Sequence, residues 1–142
     1  MKTLARTSIA LFALFALAQT HPASAQDNAK ASVDRGKYIV EHVAKCGRCH
    51  TPGNTAGEDE HDRRNWLMGG PLQIQPTYPV TNWALVTPRI ARRPPGSDSE
   101  FVRLLTTGIS RTGEPPRPPM PNFGMTRVDA ESVLAYLKSL TP

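Results

Sequence analysis

Both cysteines of this 142-residue chain fall in one pentapeptide, Cys46-Gly47-Arg48-Cys49-His50. Two thiols three positions apart can each add across a vinyl group of the same porphyrin and leave a thioether. The adjacent His50 then lies under the iron with an imidazole nitrogen to donate. C-x-x-C-H is the pattern of covalent haem attachment, so one covalently held haem c, with iron, is the expected cofactor.

Three plainer uses of the same residues compete with this one. A thioredoxin-like C-x-x-C follows a strand and opens a helix, whose N-terminus lowers the thiol pKa; here the motif follows a helical pattern and runs into Thr51-Pro52-Gly53. A structural zinc wants about four ligands, and downstream of the leader only His42 and His61 remain to join Cys46, Cys49 and His50. A simple disulfide leaves His50 without a purpose.

The elements that must position this motif are few. Lys2 and Arg6, the apolar run Ile9 to Ala18 and the small-x-small triplet Ala23-Ser24-Ala25 make residues 1–25 an export signal, cleaved to leave a domain over 26–142 in the periplasm. That run falls short of the about 20 apolar residues a bilayer span takes, so no transmembrane anchor is expected after cleavage. In the remainder, Pro and Gly make up about 20% of residues, below the roughly 25 to 30% of disordered chains. A folded, loop-rich domain follows. The net charge of +5 is spread too thinly to argue for nucleic acid as a partner.

Periodicity predicts three helices and no convincing strand. Ser32 is placed to cap the first, over about residues 33 to 46, with Gly36, Val40 and Val43 on one stripe and Ile39 beside it. Gly36 inside a helix implies close approach of another element, here the C-terminal helix. Ser97-Asp98-Ser99-Glu100 is a capping box opening a helix that buries Phe101, Leu104 and Leu105 and ends at Gly108. Thr126-Arg127-Val128-Asp129 opens the last, with Ala130, Val133, Leu134, Leu137 and Leu140 at core spacing. Such a set buries little apolar surface alone, which puts the haem at the centre of a small all-α domain.

In this order, helix, Cys46 to His50, long loop, helix, Pro119-Met120-Pro121 and a helix carrying Tyr136-Leu137-Lys138-Ser139-Leu140, the chain resembles the class I monohaem cytochromes c. Arg35-Gly36-Lys37-Tyr38 and Met120-Pro121 look most like the cytochrome subunits that accept electrons from bacterial periplasmic dehydrogenases. Residues 53 to 97 depart from the short family pattern. The resemblance implies a Met sulfur as sixth iron ligand from a loop before the last helix, which is Met120, with Met125 as second choice and Met68 as a gap filler. Prolines around Met120 would stiffen that loop. A Met/His pair raises the reduction potential and leaves no open position on iron, which implies an electron carrier and not an enzyme. The resemblance also matches Gly70-Pro71-Leu72 to the segment whose carbonyl orients the ligating His, with an ordinary turn as the equal alternative. Trp66, Trp83 and Tyr78 have polar tips able to reach the haem propionates, with plain core packing as the alternative for each.

The partners expected are redox proteins, a periplasmic dehydrogenase as donor and a cytochrome or oxidase as acceptor. Arg89, Arg92, Arg93, Arg111 and Arg117 flank the middle helix, while Glu58-Asp59-Glu60-His61-Asp62 is acidic and lies elsewhere. Such separation steers a basic face toward an acidic partner, and association should then slow several-fold between low and physiological ionic strength. The alternative is that some of these arginines neutralise the haem propionates and the others are only solvated. Two other haem functions were considered: a peroxidase-like enzyme, which needs an open iron or a second haem, and a gas-binding sensor of the four-helix type, which carries its motif near the C-terminus.

Overall fold

In the computed structural model, residues 23–53 and 65–141 are described. The bulk of the leader and the stretch from Glu58 to Asp62 lie outside the described residues. Four α-helices appear in the order α1 (Ala23–Tyr38), α2 (Gly47–His50), α3 (Asp98–Thr107) and α4 (Arg127–Ser139), with a π-helical segment Ile39–Val43 continuing α1. Between α2 and α3, two short strands, β1 (Gly70–Pro71) and β2 (Val86–Thr87), pair antiparallel, Gly70 opposite Thr87 and Pro71 opposite Val86. The architecture is therefore mostly helical and not purely so. Two-residue strands are too short to leave an alternation in the sequence, which is why none was expected.

The first helix begins at Ala23, ten residues before the start expected from its apolar stripe. Residues 23–32 are mostly small and polar, good enough as helix formers but without an apolar face. Ser32 is consequently an interior residue, and instead of capping the helix its hydroxyl bonds that of Ser132 across the interface with α4, at 3.3 Å.

That interface is the frame of the molecule. α4 buries Ala130, Val133, Leu134 and Leu137 as its spacing predicted, and also Ser132 and Tyr136, which face α1. The crossing is close because of Gly36: a Cβ built there would lie 1.9 Å from the Ser132 carbonyl oxygen and 2.9 Å from Cβ of Tyr136. A side chain at 36 meets rigid backbone. Overpacking of this kind costs about 1 to 3 kcal/mol even where neighbours can move. Gly36→Ala is thus expected to destabilise the folded protein by at least about 3 kcal/mol, read as a fall in the denaturation midpoint; an unchanged midpoint would show that the helices can separate freely.

Polar ties hold the same pair. Arg35 Nε donates to Asp129 Oδ1 at 2.6 Å, and the Tyr136 hydroxyl donates to Glu41 Oε1 at 2.7 Å. Thr126 caps α4 by accepting from the Asp129 N–H, while its own hydroxyl donates to the Asp129 carboxylate at 2.8 Å. The Thr126 hydroxyl first, and the Arg35 guanidinium after it, hold the Asp129 carboxyl below its ordinary value. A carboxyl depressed in the folded state adds stability that is complete above its unfolded pKa, near 3.9, and is lost as pH falls through the folded one. Asp129→Asn should flatten the acid limb of the stability profile below about pH 4; a limb of unchanged steepness would count against this role.

At α3 the capping box is formed in full. Ser97 Oγ accepts from the Glu100 N–H and the Glu100 carboxylate accepts from the Ser97 N–H at 2.8 Å, and the helix is closed by Gly108. Phe101 and Leu105 are buried, whereas Leu104 is half-buried and turned toward the cavity described next. Leu140 is likewise half-buried. Among the described residues, no helix is long and apolar enough to cross a membrane.

Candidate functional site

The motif is presented by a change of helical pitch. At the end of α1 the ladder widens: the Ala44 N–H reaches back five residues to Ile39 O at 2.8 Å, and the Cys46 N–H reaches Val40 O at 3.0 Å. Lys45 between them has φ +50°, a left-handed conformation that stops the helix. A new turn starts at once. The N–H groups of Cys49 and His50 both donate to Cys46 O, and that of Thr51 to Gly47 O. Positions 46, 49 and 50 are i, i+3 and i+4 of this turn, so both thiols and the imidazole share one face. The residue between them is small for a reason, since a Cβ on Gly47 would lie 2.3 Å from the buried Trp66 indole.

Burial sets the chemistry of each group. The two thiols are unbonded and half-buried. Burial pushes the Cys46 thiol up to about 12 and raises that of Cys49 as well. Catalytic dithiols need the opposite, a depressed pKa. His50 is buried, and desolvation lowers its pKa against the opposing pull of a carbonyl, which keeps the ring neutral at pH 7. Its Nδ1 lies 2.8 Å from Pro88 O. A carbonyl only accepts, so Nδ1 carries the proton and Nε2 keeps the lone pair free to ligate a metal.

The carbonyl at His50 therefore belongs to Pro88 and not to Gly70-Pro71, which is a correction to the sequence-based expectation. The Gly70-Pro71 backbone is used in pairing with Val86–Thr87. That pairing carries the chain to Pro88, and Thr87 Oγ1 fastens it to the motif by donating to Cys49 O at 2.9 Å. Two more bonds complete the seam: Gly69 N–H to His50 O at 2.7 Å, and Leu67 N–H to Thr51 Oγ1 at 3.1 Å. Nothing in the residue types marks Pro88, because the group it contributes is common to all residues.

Cys46, Cys49 and His50 open onto a cavity of about 350 Å³, within the range of small-molecule and cofactor sites. Phe101, Leu104 and Leu105 from α3 and Val133 and Leu137 from α4 form much of its apolar wall, with Val86 and Ile90 from the middle segment. Pro119, Met120 and Pro121 line it as well, on a loop tied back by the Ala84 N–H to Pro118 O at 2.8 Å. Met125 also lines it, its own N–H held by Leu105 O at 3.0 Å. Met68 packs against the core and does not line the cavity.

Trp66, Trp83 and Tyr78 do not line the cavity either. Trp66 is buried in the core against Gly47, Trp83 Nε1 donates to Ile74 O at 3.0 Å, and Tyr78 is exposed to solvent. Of the five arginines, Arg111 and Arg117 line the cavity and Arg89, Arg92 and Arg93 do not. Arg92 is engaged at the end of α4, its N–H donating to Leu137 O at 2.7 Å.

This donor set suits a haem: an apolar chamber, two protonated thiols and one neutral imidazole on one face, and a thioether sulfur on the prolyl loop. Among the described residues no three His, Cys, Asp or Glu side chains converge to hold a metal ion.

No family model and no solved structure matches the chain. A diheme cytochrome c-type protein of Cereibacter sphaeroides is 50% identical over 38 residues, a stretch that is 27% of this chain and 12% of that much longer protein. Over that stretch, the chain is related to a cytochrome of the c type.

Proposed function

We propose that this protein is an exported, single-haem c-type cytochrome of the periplasm that moves one electron at a time. The observation that carries this reading is the shared face of Cys46, Cys49 and His50 turned into a largely apolar cavity that Met120 also lines. When bound, haem supplies a one-electron ferric/ferrous couple. The chain's own residues do the rest. Cys46 and Cys49 would anchor the porphyrin through thioethers, His50, its ring fixed by Pro88 O, would offer Nε2 to the iron, and Met120 would offer its sulfur. The apolar walls from α3 and α4 would limit the access of water to the bound group. A Met/His ligand pair would leave no place for a substrate, which favours a carrier over an enzyme.

The donor in this reading is a periplasmic dehydrogenase and the acceptor a cytochrome or oxidase of the respiratory chain. Export rests on the signal read in residues 1–25, and the class of donor on the Arg35-Gly36-Lys37-Tyr38 and Met120-Pro121 resemblance. Protein recovered from a periplasmic fraction should keep its pigment through denaturation and acid-acetone extraction, at one haem per chain. Colour that leaves with the acetone, or a reduced form that binds carbon monoxide readily at neutral pH, would overturn the proposal.

A further inference from the structure

We propose that Arg111 and Arg117 bind the two propionate carboxylates of the haem and thereby set its reduction potential. The inference deepens the haem reading and depends on it. A porphyrin bearing two thioethers has its propionates on the edge opposite the former vinyl groups. The cavity's charged and titratable side chains are Lys45, Cys46, Cys49, His50, Glu100, Arg111 and Arg117. Lys45 directly precedes Cys46 and so belongs to the thioether edge. Glu100 is an anion held by its own helix cap, accepting from Ser97 N–H at 2.8 Å and Ser97 Oγ at 3.0 Å, and only secondarily drawn to the Arg103 and Arg111 guanidinium groups, so it leaves Arg111 charge to share with a ligand. That leaves the two guanidinium groups.

Their placement fits the task. Both are exposed residues that also line the cavity, which puts them at its mouth, where a carboxylate can stay partly hydrated. Ser110 and Thr112, on either side of Arg111, line the cavity too, so its polar rim is concentrated in one segment. This segment is pre-shaped: Ser110 N–H donates to Glu114 O at 2.8 Å, Gly113 N–H to Ser110 O at 3.1 Å, and Arg103 holds Ser110 O at 2.8 Å. A planar guanidinium matches a carboxylate in two parallel hydrogen bonds, which a point-charge ammonium does not. The five aromatic side chains with polar tips, Trp66, Trp83, Tyr38, Tyr78 and Tyr136, all lie off the cavity. Positive charge beside the haem favours the ferrous form, which is one unit more negative than the ferric.

The test uses the haem-loaded full protein. In the wild type, carbon-13 labelled propionates followed by NMR should stay ionised to below about pH 4, the ordinary carboxylate range. In Arg111→Gln/Arg117→Gln, the redox equilibrium against a reference couple should shift at least tenfold toward the oxidised form, 59 mV for one electron, and become pH-dependent between pH 5 and 8. Arg111→Lys/Arg117→Lys should recover much of the potential, and Arg89→Gln/Arg93→Gln should leave it unchanged. Should the Gln variant fail to mature, the wild-type titration decides alone: propionates protonating at or above the ordinary range overturn the proposal. So does a Gln variant with wild-type potential. A wild type without covalent haem would instead end the reading on which the inference rests.

Discussion

Cys46→Ser/Cys49→Ser should yield a chain that carries no covalent pigment and does not fold cooperatively. The thioethers are lost because a hydroxyl does not add to the vinyl groups as a thiol does. The fold is lost because of what the haem fills. An empty cavity costs about 24 cal/mol per Å³, and the chamber walled by Phe101, Leu105, Val133 and Leu137 measures about 350 Å³. The product is about 8 kcal/mol, comparable with the entire stability of a small domain, about 5 to 15 kcal/mol. Thermal denaturation of the double variant, followed by circular dichroism, should lack a sharp transition. A sharp one, with dispersed amide resonances, would mean that the helices close the chamber without a cofactor.

The second large effect is expected at Met120, the proposed distal ligand. Met120→Ala should abolish the weak near-infrared band of the oxidised protein and lower its reduction potential, because the thioether favours ferrous iron. Met125→Ala should do neither, while losing about 2 kcal/mol of packing against the core. Met125, half-buried like Met120, packs against the core with its N–H held by Leu105 O just before α4, and it lines the same cavity. A reversed pattern would make Met125 the ligand and Met120 a wall of the chamber.

What could be read in advance follows from where the information sits. Ser97 with Glu100, and the apolar recurrence from Ala130 to Leu137, are side-chain patterns tied to a local geometry, so both α3 and α4 were legible. Gly36 was legible as a contact because a glycine amid helix formers needs a neighbour, and that neighbour is Ser132. The spacing of Cys46, Cys49 and His50 pointed to one site, and all three line one cavity. The start of α1 was hidden, since residues 23–32 form helix without an apolar stripe. The pairing of Gly70–Pro71 with Val86–Thr87 was hidden because four residues make no pattern. Trp66, Trp83 and Tyr78 share a chemistry that fits the cofactor's edge, but composition does not say where a loop of this length will carry them.

The carbonyl that steadies His50 has a consequence for how the gene can drift. Its oxygen is main-chain, so a codon change at position 88 alters the ring above it and leaves the acceptor in place. Tolerance at that position is paired with sensitivity nearby. Thr87 supplies a hydroxyl to Cys49 O, and at Gly69 an added Cβ would lie 2.5 Å from the Arg89 nitrogen. Mutational scanning should find the two residues that place this carbonyl restrictive, and position 88, which also lines the cavity, tolerant of side chains that preserve that wall.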